Sequence, residues 1–424
     1  MSTLNEEQAR GYMHKLLAAM HQAGGSDLFI ASDFPPSMKA QGSMQPLSGQ
    51  KLSGDVTRAL AHSLMTARQR EEFAREMECN FAISIAGLSR FRVNVYVQQQ
   101  NVAMVIRTIA SEMPNFEQLG LPPVLKEVIM NKRGLALVVG GTGSGKSTTL
   151  AALIDYRNST SHGHIITVED PVEYVHVSKK SLVSHREVGV DTHSWEHALK
   201  NTLRQAPDVI LIGEIRDAET MEHAIAFAET GHLCLGTLHA NSANQAIDRI
   251  INFFPEERRN QLLMDLSANL RSIVSQRLVR TEDGKGRKAA IEILLNTPTI
   301  ADRIFKGAFG DIKSIMEKSR ELGMRTFDWA LFELYNDGHI GYEEAIRNAD
   351  SANELRLAMK LKSKRGLPET ADGPTLSFDK PPTPEELEAM RQAEQEKQQQ
   401  RRRELEDAEL KKKLAAGSNA ASMS

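Results

Sequence analysis

Residues 140–147 read Gly140-Gly141-Thr142-Gly143-Ser144-Gly145-Lys146-Ser147 and directly follow an apolar run at residues 135–139. The spacing matches GxxxxGK[ST], a pattern in which glycines allow backbone N–H groups to surround a phosphate. Residues 147–154 have the character of a helix, so the positive end of its dipole faces the same phosphate. We predict a strand, a phosphate-binding loop that extends to Thr148, and a helix, with ATP or GTP as the ligand.

Two groups of this loop have defined tasks in nucleotide sites. The Lys146 ammonium is expected to bridge the β- and γ-phosphates, and the Ser147 hydroxyl is expected to ligate Mg²⁺. A second apolar strand at residues 209–212 is followed by Gly213 and Glu214. The carboxyl ends of parallel strands meet at one edge of a sheet, so Glu214 is predicted to reach Mg²⁺ and the attacking water. The alternative is a solvated acid at a strand end.

Two further strands end near ionisable groups. Residues 164–168 precede Glu169 and Glu173, either of which could polarise water, although acids at strand ends also serve in caps and turns. Residues 233–238 are bracketed by His232 and His239. An imidazole at a strand end can contact a phosphate or a neighbouring acid, and a structural role is the alternative.

Hydrolysis also requires positive charge on the transition state, which a neighbouring subunit often supplies as an arginine. Arginines on exposed strand faces are usually only solvated, so each candidate has this alternative. The candidates are Arg90, Arg92, Arg107, Arg204 and Arg216, and we favour Arg92, Arg107 and Arg204.

The pattern of helices and strands changes along the chain. Residues 1–112 mix helices with alternating strands, as in an α+β domain, and the proline-rich residues 113–123 indicate a linker. Residues 124–365 begin with short apolar strands separated by helices, which predicts a mostly parallel α/β sheet. The part from 258 to 363 is predicted to be mainly helical, apart from a strand at 289–294. Residues 366–424 are a proline-rich linker and a charged tail, predicted to be disordered or helical.

Composition narrows the class of protein. The chain has 424 residues with a net charge of −3, which gives no overall attraction for nucleic acid, so no nucleic-acid partner is expected. Two cysteines cannot form a four-cysteine zinc site. Acidic residues near the start do not suit a signal peptide, and no apolar run has the length of a membrane-spanning helix. We expect a cytoplasmic protein whose membrane contact is indirect.

Several segments, in order, resemble the secretion ATPases, and within them the type IV pilus retraction motors of the PilT family. They are Ser26-Asp27-Leu28, Pro35-Pro36, residues 90–94, the phosphate loop, residues 166–173 (similar to the family's Asp box), 213–217 (its Walker B), 230–241 (its His box) and 275–278. The resemblance implies a homohexamer that uses ATP and Mg²⁺, with a PAS-like N-terminal α+β domain on a RecA-like ATPase core. It also implies that Glu214 is the Walker B acid, that Glu169 and Glu173 are catalytic acids, and that His232 and His239 are the His-box pair.

Departures from the family pattern refine this interpretation. Retraction motors usually have Asn-Arg-Gly where this chain has Gln99-Gln100-Asn101, so a basic residue is missing at Gln100. Residues 299–304 differ from the family's usual segment, and the charged tail is additional. These features resemble the accessory retraction ATPases, which implies another retraction ATPase and an inner-membrane pilus platform protein as partners. The alternatives are a weakly hydrolysing structural ring subunit and, less favoured, a pilus-extension or type II secretion ATPase.

Overall fold

Two β-sheets organise the part of the chain that the structure, a computed structural model, describes, namely residues 4–40, 43–109, 113 and 115–367. Described residues up to Gly366 belong to one compact unit. The predicted charged tail lies outside the described residues except for its first two. Within the described ranges, no helix is long and apolar enough to cross a membrane.

The first sheet is antiparallel and has the strand order β3-β2-β1-β6-β5-β4 among the described residues. Its β5 strand alternates buried Phe91, Val93 and Val95 with the outward residues Arg90 and Arg92, because side chains of a strand point to opposite faces. The buried face packs against three helices. The elements are α1 (Glu6–Gln22), β1 (Asp27–Ile30), β2 (Ser37–Ala40), β3 (Ser43–Pro46), α2 (Gly54–Leu64), α3 (Ala67–Glu76), β4 (Glu78–Ile85), β5 (Ser89–Gln98) and β6 (Asn101–Ile109).

The second sheet has the order β13-β12-β7-β11-β10-β8-β9 in the described part of the chain. All neighbouring pairs are parallel except β12 and β13. Its strands are β7 (Gly134–Val139), β8 (Gly163–Glu169), β9 (Ser181–Glu187), β10 (Val209–Ile212), β11 (Leu233–Leu238), β12 (Leu270–Arg280) and β13 (Arg287–Leu295). Its helices are α4 (Val124–Met130), α5 (Lys146–Thr160), α6 (Trp195–Thr202), α7 (Ala218–Glu229), α8 (Ala243–Asn252), α9 (Arg259–Asn269), α10 (Pro298–Phe305), α11 (Ile312–Lys318), α12 (Phe327–Asn336), α13 (Tyr342–Asn348) and α14 (Ala352–Lys362).

Both faces of this sheet are buried, which explains why its strands are continuous apolar runs. In β7, Leu135, Leu137 and Val139 enter one hydrophobic cluster, whereas Ala136 and Val138 enter the cluster on the opposite face. The middle of each central strand is therefore mostly apolar, and the predicted site residues lie at or just beyond the strand ends.

The predicted strands are confirmed, and β10 and β11 have the predicted bounds. One prediction is wrong: residues 270–280 form the long strand β12 inside the segment predicted to be mainly helical. The predicted linker contributes Phe116 and Leu121 to the core beside α4 and α5. The boundaries placed at residues 112 and 123 stay predictions.

Candidate nucleotide-binding and hydrolysis site

The strand order brings the predicted groups to one edge of the second sheet. Strand β11 lies between β7, which leads into the phosphate loop, and β10, which leads to Glu214. The next strand, β8, ends at Glu169. Because these four strands are parallel, His239, Glu214, Glu169 and the phosphate loop follow their carboxyl ends, where open α/β sheets bind ligands.

The phosphate loop adopts a conformation that glycine makes possible. Gly143 and Gly145 have φ values of 75° and 89°, which are in the left-handed region. Lys146 Nζ donates to the carbonyl oxygens of Gly140 and Gly141 at 2.9 and 3.0 Å. Burial lowers the pKa of Lys146, and nearby Glu214 and Glu173 act in the opposite direction. The ammonium is thus held at the mouth of the loop, beside carboxylates.

Glu214 lies at the centre of a charged cluster. Arg216 donates to Glu214 Oε2 from Nε at 2.8 Å and from Nη2 at 2.5 Å. His239 Nε2 lies 2.9 Å from Glu214 Oε1. Burial raises the pKa of Glu214, but Arg216, His239 and Lys146 together outweigh it, so the pKa lies below its usual range. Glu214 is therefore held as a carboxylate, and Oε1, which has His239 as its one contact, keeps a lone pair for a further ligand.

Glu169 has the opposite electrostatic character. Its carboxyl group lies in a small cavity that Ser147, Tyr174 and Thr237 also line. Burial raises the pKa of Glu169 to about 7, while hydrogen bonds from Thr167 and from the Glu173 backbone oppose this shift. A carboxyl group with a pKa near neutrality can both hold and release a proton at physiological pH. Glu169 and Glu214 thus differ in protonation although they lie at the same sheet edge.

Gly213 explains how Glu169 approaches β10. A Cβ atom at Gly213 would lie 3.2 Å from Cα and Cγ of Glu169. The carbonyl oxygen of Gly213 also accepts a hydrogen bond from the Thr237 hydroxyl of β11. The absence of a side chain therefore lets the ends of three strands pack closely.

The first sheet contributes two of the predicted arginines. Arg92 and Arg107 are cross-strand partners on β5 and β6, and with Glu173 and Tyr174 they line a cleft of about 190 Å³. The Tyr174 hydroxyl lies 3.1 Å from Thr148 Oγ1, the last residue of the predicted loop. This cleft therefore adjoins the phosphate loop. Arg107 Nε also donates to Asp27 at 2.7 Å.

Two predicted residues are not at this edge. His232 precedes β11, and its carbonyl oxygen accepts from the amide of Gly134, where β7 begins. A strand of six residues separates that end from the phosphate loop by about 20 Å, at about 3.3 Å per residue. Arg204 lies in a turn before β10 and donates to Asn201 at 3.4 Å. Both residues thus lie at the amino ends of the strands, away from the phosphate loop of their own chain.

Sequence analysis missed three contributions. Arg216 is a candidate for an arginine acting between subunits on sequence grounds, but it pairs with Glu214 of its own chain. Tyr174, which no sequence motif indicates, lines both cavities described above. Gln276 of β12 contacts the phosphate loop from below. A tyrosine next to Glu173 could have been noticed, whereas the contact of Gln276 depends on the strand order.

This arrangement defines the class: a phosphate loop after a central parallel strand, with a strand-end glutamate beside it, is characteristic of phosphate-loop NTPases. The family described as Type II/IV secretion system protein matches residues 75–322. PilU of Pseudomonas aeruginosa, a type IV pilus ATPase, is 57% identical over 350 residues, which cover 82% of this chain and 92% of the relative.

Two further comparisons agree. PilT of Pseudomonas aeruginosa, a type IV pilus retraction ATPase, is 42% identical over 335 residues, covering 79% of this chain and 97% of the relative. A crystal structure of the pilus retraction motor PilT with bound ADP aligns with a TM-score of 0.75 and 38% identity, covering 82% of this chain and 98% of that chain. The chain belongs to the type II/IV secretion family, and within it to the type IV pilus retraction ATPases. It is an ATPase.

Proposed function

We propose that this chain is a Mg²⁺-dependent, hexameric ATPase that drives type IV pilus retraction, and hence twitching, as an accessory to a principal retraction ATPase. The observation that carries the proposal is the contact of Glu214 with His239 and Arg216, beside Lys146 of the phosphate loop. The site has the phosphate-binding loop and the fixed carboxylate that hydrolysis requires.

The donor set fits a nucleotide with Mg²⁺. Ser147 provides a hydroxyl at the N-terminus of α5, and Glu214 provides a carboxylate with a low pKa. Oxygen ligands of this kind are those that Mg²⁺ prefers. Thr148 is engaged with Tyr174, so Ser147 is the better hydroxyl ligand. When bound, Mg²⁺ would neutralise phosphate charge. Lys146 would exchange its contacts with the loop carbonyls for phosphate oxygens.

Glu169 is the better candidate for the general base. A base must have a pKa near the working pH and lie within reach of the attacking water. Glu169 has a pKa of about 7 and shares a cavity with Ser147. Glu173 is more exposed and lies in the arginine-lined cleft. We therefore assign proton transfer to Glu169 and charge complementarity with the arginines to Glu173.

Exposed arginines on the first sheet support the proposed ring. Arg92 and Arg107 project from neighbouring strands, and both are exposed. Two arginines at one site provide the paired positive charge that a phosphate group attracts. We propose that these residues, and Arg204 and His232 at the other sheet edge, contact neighbouring subunits. The proposed location is the cytoplasmic side of the inner membrane, on the pilus platform protein, without a nucleic-acid partner.

Replacement of Lys146 tests the nucleotide site. In Lys146→Ala, binding of a fluorescent ADP analogue and ATP turnover should both fall by on the order of 100-fold or more, because the positive charge that contacts the nucleotide phosphates is lost. Lys179→Ala, which removes a surface lysine paired with Asp155, is the matched control and should retain both. Undiminished turnover in Lys146→Ala would overturn the assignment of the loop.

A second candidate function is that of a ring subunit that hydrolyses ATP weakly and supports another motor. The chain is more similar to PilU than to PilT, at 57% against 42% identity, so its role beside a second motor is tested directly. Pilus retraction should be measured in cells that produce this chain alone, then together with a second retraction ATPase. Retraction by this chain alone contradicts the accessory role. Wild-type retraction force restored by a hydrolysis-deficient Glu214→Gln variant favours the structural ring subunit.

A further inference from the structure

Gln276 is a buried amide directly beneath the phosphate loop, and only 3% of its surface is exposed. Its Nε2 donates to the Ser144 carbonyl oxygen at 2.8 Å, and its Oε1 accepts from the Thr149 hydroxyl at 2.7 Å. The orientation of the amide follows from these partners, because a carbonyl oxygen can only accept a hydrogen bond. One side chain thus joins the loop to the first turn of α5.

The two bonds lie on either side of Gly145, where the backbone changes direction. Gly145 is the N-terminal cap of α5 and has a left-handed conformation, with φ of 89°. Its conformation sets the angle between the loop and the helix, and therefore the direction of the N–H groups that face a phosphate. By fixing Ser144 and Thr149, Gln276 restrains this junction from both sides.

Two glycines of the motif lie directly against the same residue. A Cβ atom at Gly145 would lie 2.7 Å from Gln276 Nε2, and one at Gly140 would lie 2.6 Å from the backbone carbonyl oxygen of Gln276. Both separations are shorter than real contacts between such atoms. The loop therefore lies directly on β12, which the pairing of β12 with β7 brings beneath it.

We propose that Gln276 is a positioning residue that holds the phosphate loop in its nucleotide-binding conformation before the nucleotide arrives. This role rests on the proposed nucleotide binding but is independent of pilus retraction. Gln276 is separated from the nucleotide by the loop and acts through the backbone of Ser144 and the side chain of Thr149. If the bonds are removed, a smaller fraction of molecules has a competent loop, and the apparent dissociation constant rises in inverse proportion to that fraction.

The expected change is in affinity, with little change in the maximal rate. Gln276→Leu has a similar volume and no hydrogen bonds. It should bind a fluorescent ADP analogue about tenfold more weakly, as expected for the loss of one or two buried hydrogen bonds. At saturating ATP, kcat should stay within about twofold of the wild-type value, since bound nucleotide selects the competent loop. A purely structural residue would not produce this separation of KM from kcat.

Asn296→Leu is the matched control. Its amide also donates to backbone carbonyls, those of Ser267 and Leu270, near the start of β12. This variant should lose stability but bind ADP as the wild type does. Wild-type ADP affinity in Gln276→Leu, or an equal loss of affinity in Asn296→Leu, would overturn the proposal.

A second pair of variants decides the matter if Gln276→Leu does not fold. Thr149→Val removes one of the two bonds and should weaken ADP binding several-fold, whereas Thr149→Ser keeps the hydroxyl and should restore affinity. Equal affinities in the two Thr149 variants would contradict the proposal. ADP binding is measured directly, so a wild-type protein that binds ADP without driving retraction would contradict the proposed function and leave this inference intact.

Discussion

Glu214 is fixed by a guanidinium on one oxygen and an imidazole on the other. Glu214→Gln keeps the shape but loses the negative charge, so Arg216 loses its ionic partner and His239 a carboxylate neighbour. We expect nucleotide affinity to remain within a few-fold of the wild type. Turnover should fall by on the order of 100-fold or more, the range for loss of a positioned catalytic group. Binding of a fluorescent nucleotide and phosphate release would measure the two effects.

The control for this variant is Glu219→Gln, which changes an exposed acid of α7 a few residues further along. It should leave both binding and turnover unchanged. Unaltered turnover in Glu214→Gln would transfer the catalytic role to Glu169 or Glu173.

The raised pKa of Glu169 predicts that the stability of the fold depends on pH. Its pKa rises from 4.5 to about 7 in the folded protein, with burial as the largest cause. Between these values the folded protein keeps a proton that the unfolded chain has released, so the free energy of unfolding falls as pH rises. The upper limit is on the order of 3 kcal/mol, at about 1.36 kcal/mol for each pKa unit.

Glu169→Gln removes this titration and isolates its contribution from other buried acids such as Glu292 and Glu187, whose pKa values burial also raises. Denaturant unfolding should show the variant gaining stability relative to the wild type from about pH 5 to about pH 8. A difference between the two proteins that stays constant over this range would contradict the raised pKa.

Strand direction alone predicts which residues meet at the site, because residues that follow parallel strands share one edge of the sheet. Glu214, Glu169 and His239 follow parallel strands, so their proximity could be predicted from an apolar run that ends in a polar group. His232 and Arg204 precede their strands, so strand direction predicts that they lie at the opposite edge of the sheet. Gln276 could not be predicted, because its partner Ser144 is distant in sequence and the contact requires β12 to lie beside β7.

Among the elements, the hairpin between β5 and β6 is strained. Gln99 and Gln100 have φ values of 46° and 64°, and Gln98 pairs with Asn101. A two-residue turn with two positive φ values favours Asn-Gly, and each unsuitable residue costs on the order of 1 kcal/mol. Replacing Gln99 by Asn and Gln100 by Gly should raise the free energy of unfolding by about 1 kcal/mol in denaturant titration, less than the two costs together because glycine adds conformational entropy to the unfolded chain.

Gln50→Gly is a suitable control, since Gln50 is exposed and is not among the described residues with positive φ. It should give no gain, because glycine there only adds conformational entropy to the unfolded chain. A similar gain from both changes, or a loss in the hairpin variant, would show that the turn is not strained.

Strand β12 shows why one element was predicted wrongly. Its apolar residues Leu270, Ile273, Val274 and Leu278 have helical spacing, and both faces of the strand are buried in its middle. Burial on both faces removes the alternation that identifies a strand. In contrast, β10 and β11 are short, mostly apolar and bounded by Gly213 and Gly231. The tertiary pairing with β7 and β13 therefore overrides the local pattern in β12.

At the scale of the whole molecule, the two sheets meet at an ion pair. Arg90 of β5 pairs with Glu187 of β9, which also accepts from the Val172 amide at 3.0 Å. Glu187 is almost fully buried, with 3% of its side chain exposed. This contact lies near the cleft of Arg92, Arg107 and Glu173, so a movement of one sheet relative to the other would change that cleft. In the proposed ring, such a movement would couple hydrolysis to force.

If the subunits of the proposed ring depend on one another, mixed assemblies should lose activity cooperatively. Wild-type and Glu214→Gln chains should be co-expressed with different tags, and the ATPase rate of purified mixed rings measured against the inactive fraction. If each site requires movement of the adjacent subunit, an inactive subunit also silences its neighbours, and the rate should fall more steeply than the wild-type fraction. Mixing with Glu219→Gln chains should leave the rate unchanged. A strictly proportional fall would mean that each subunit hydrolyses ATP independently of turnover in its neighbours.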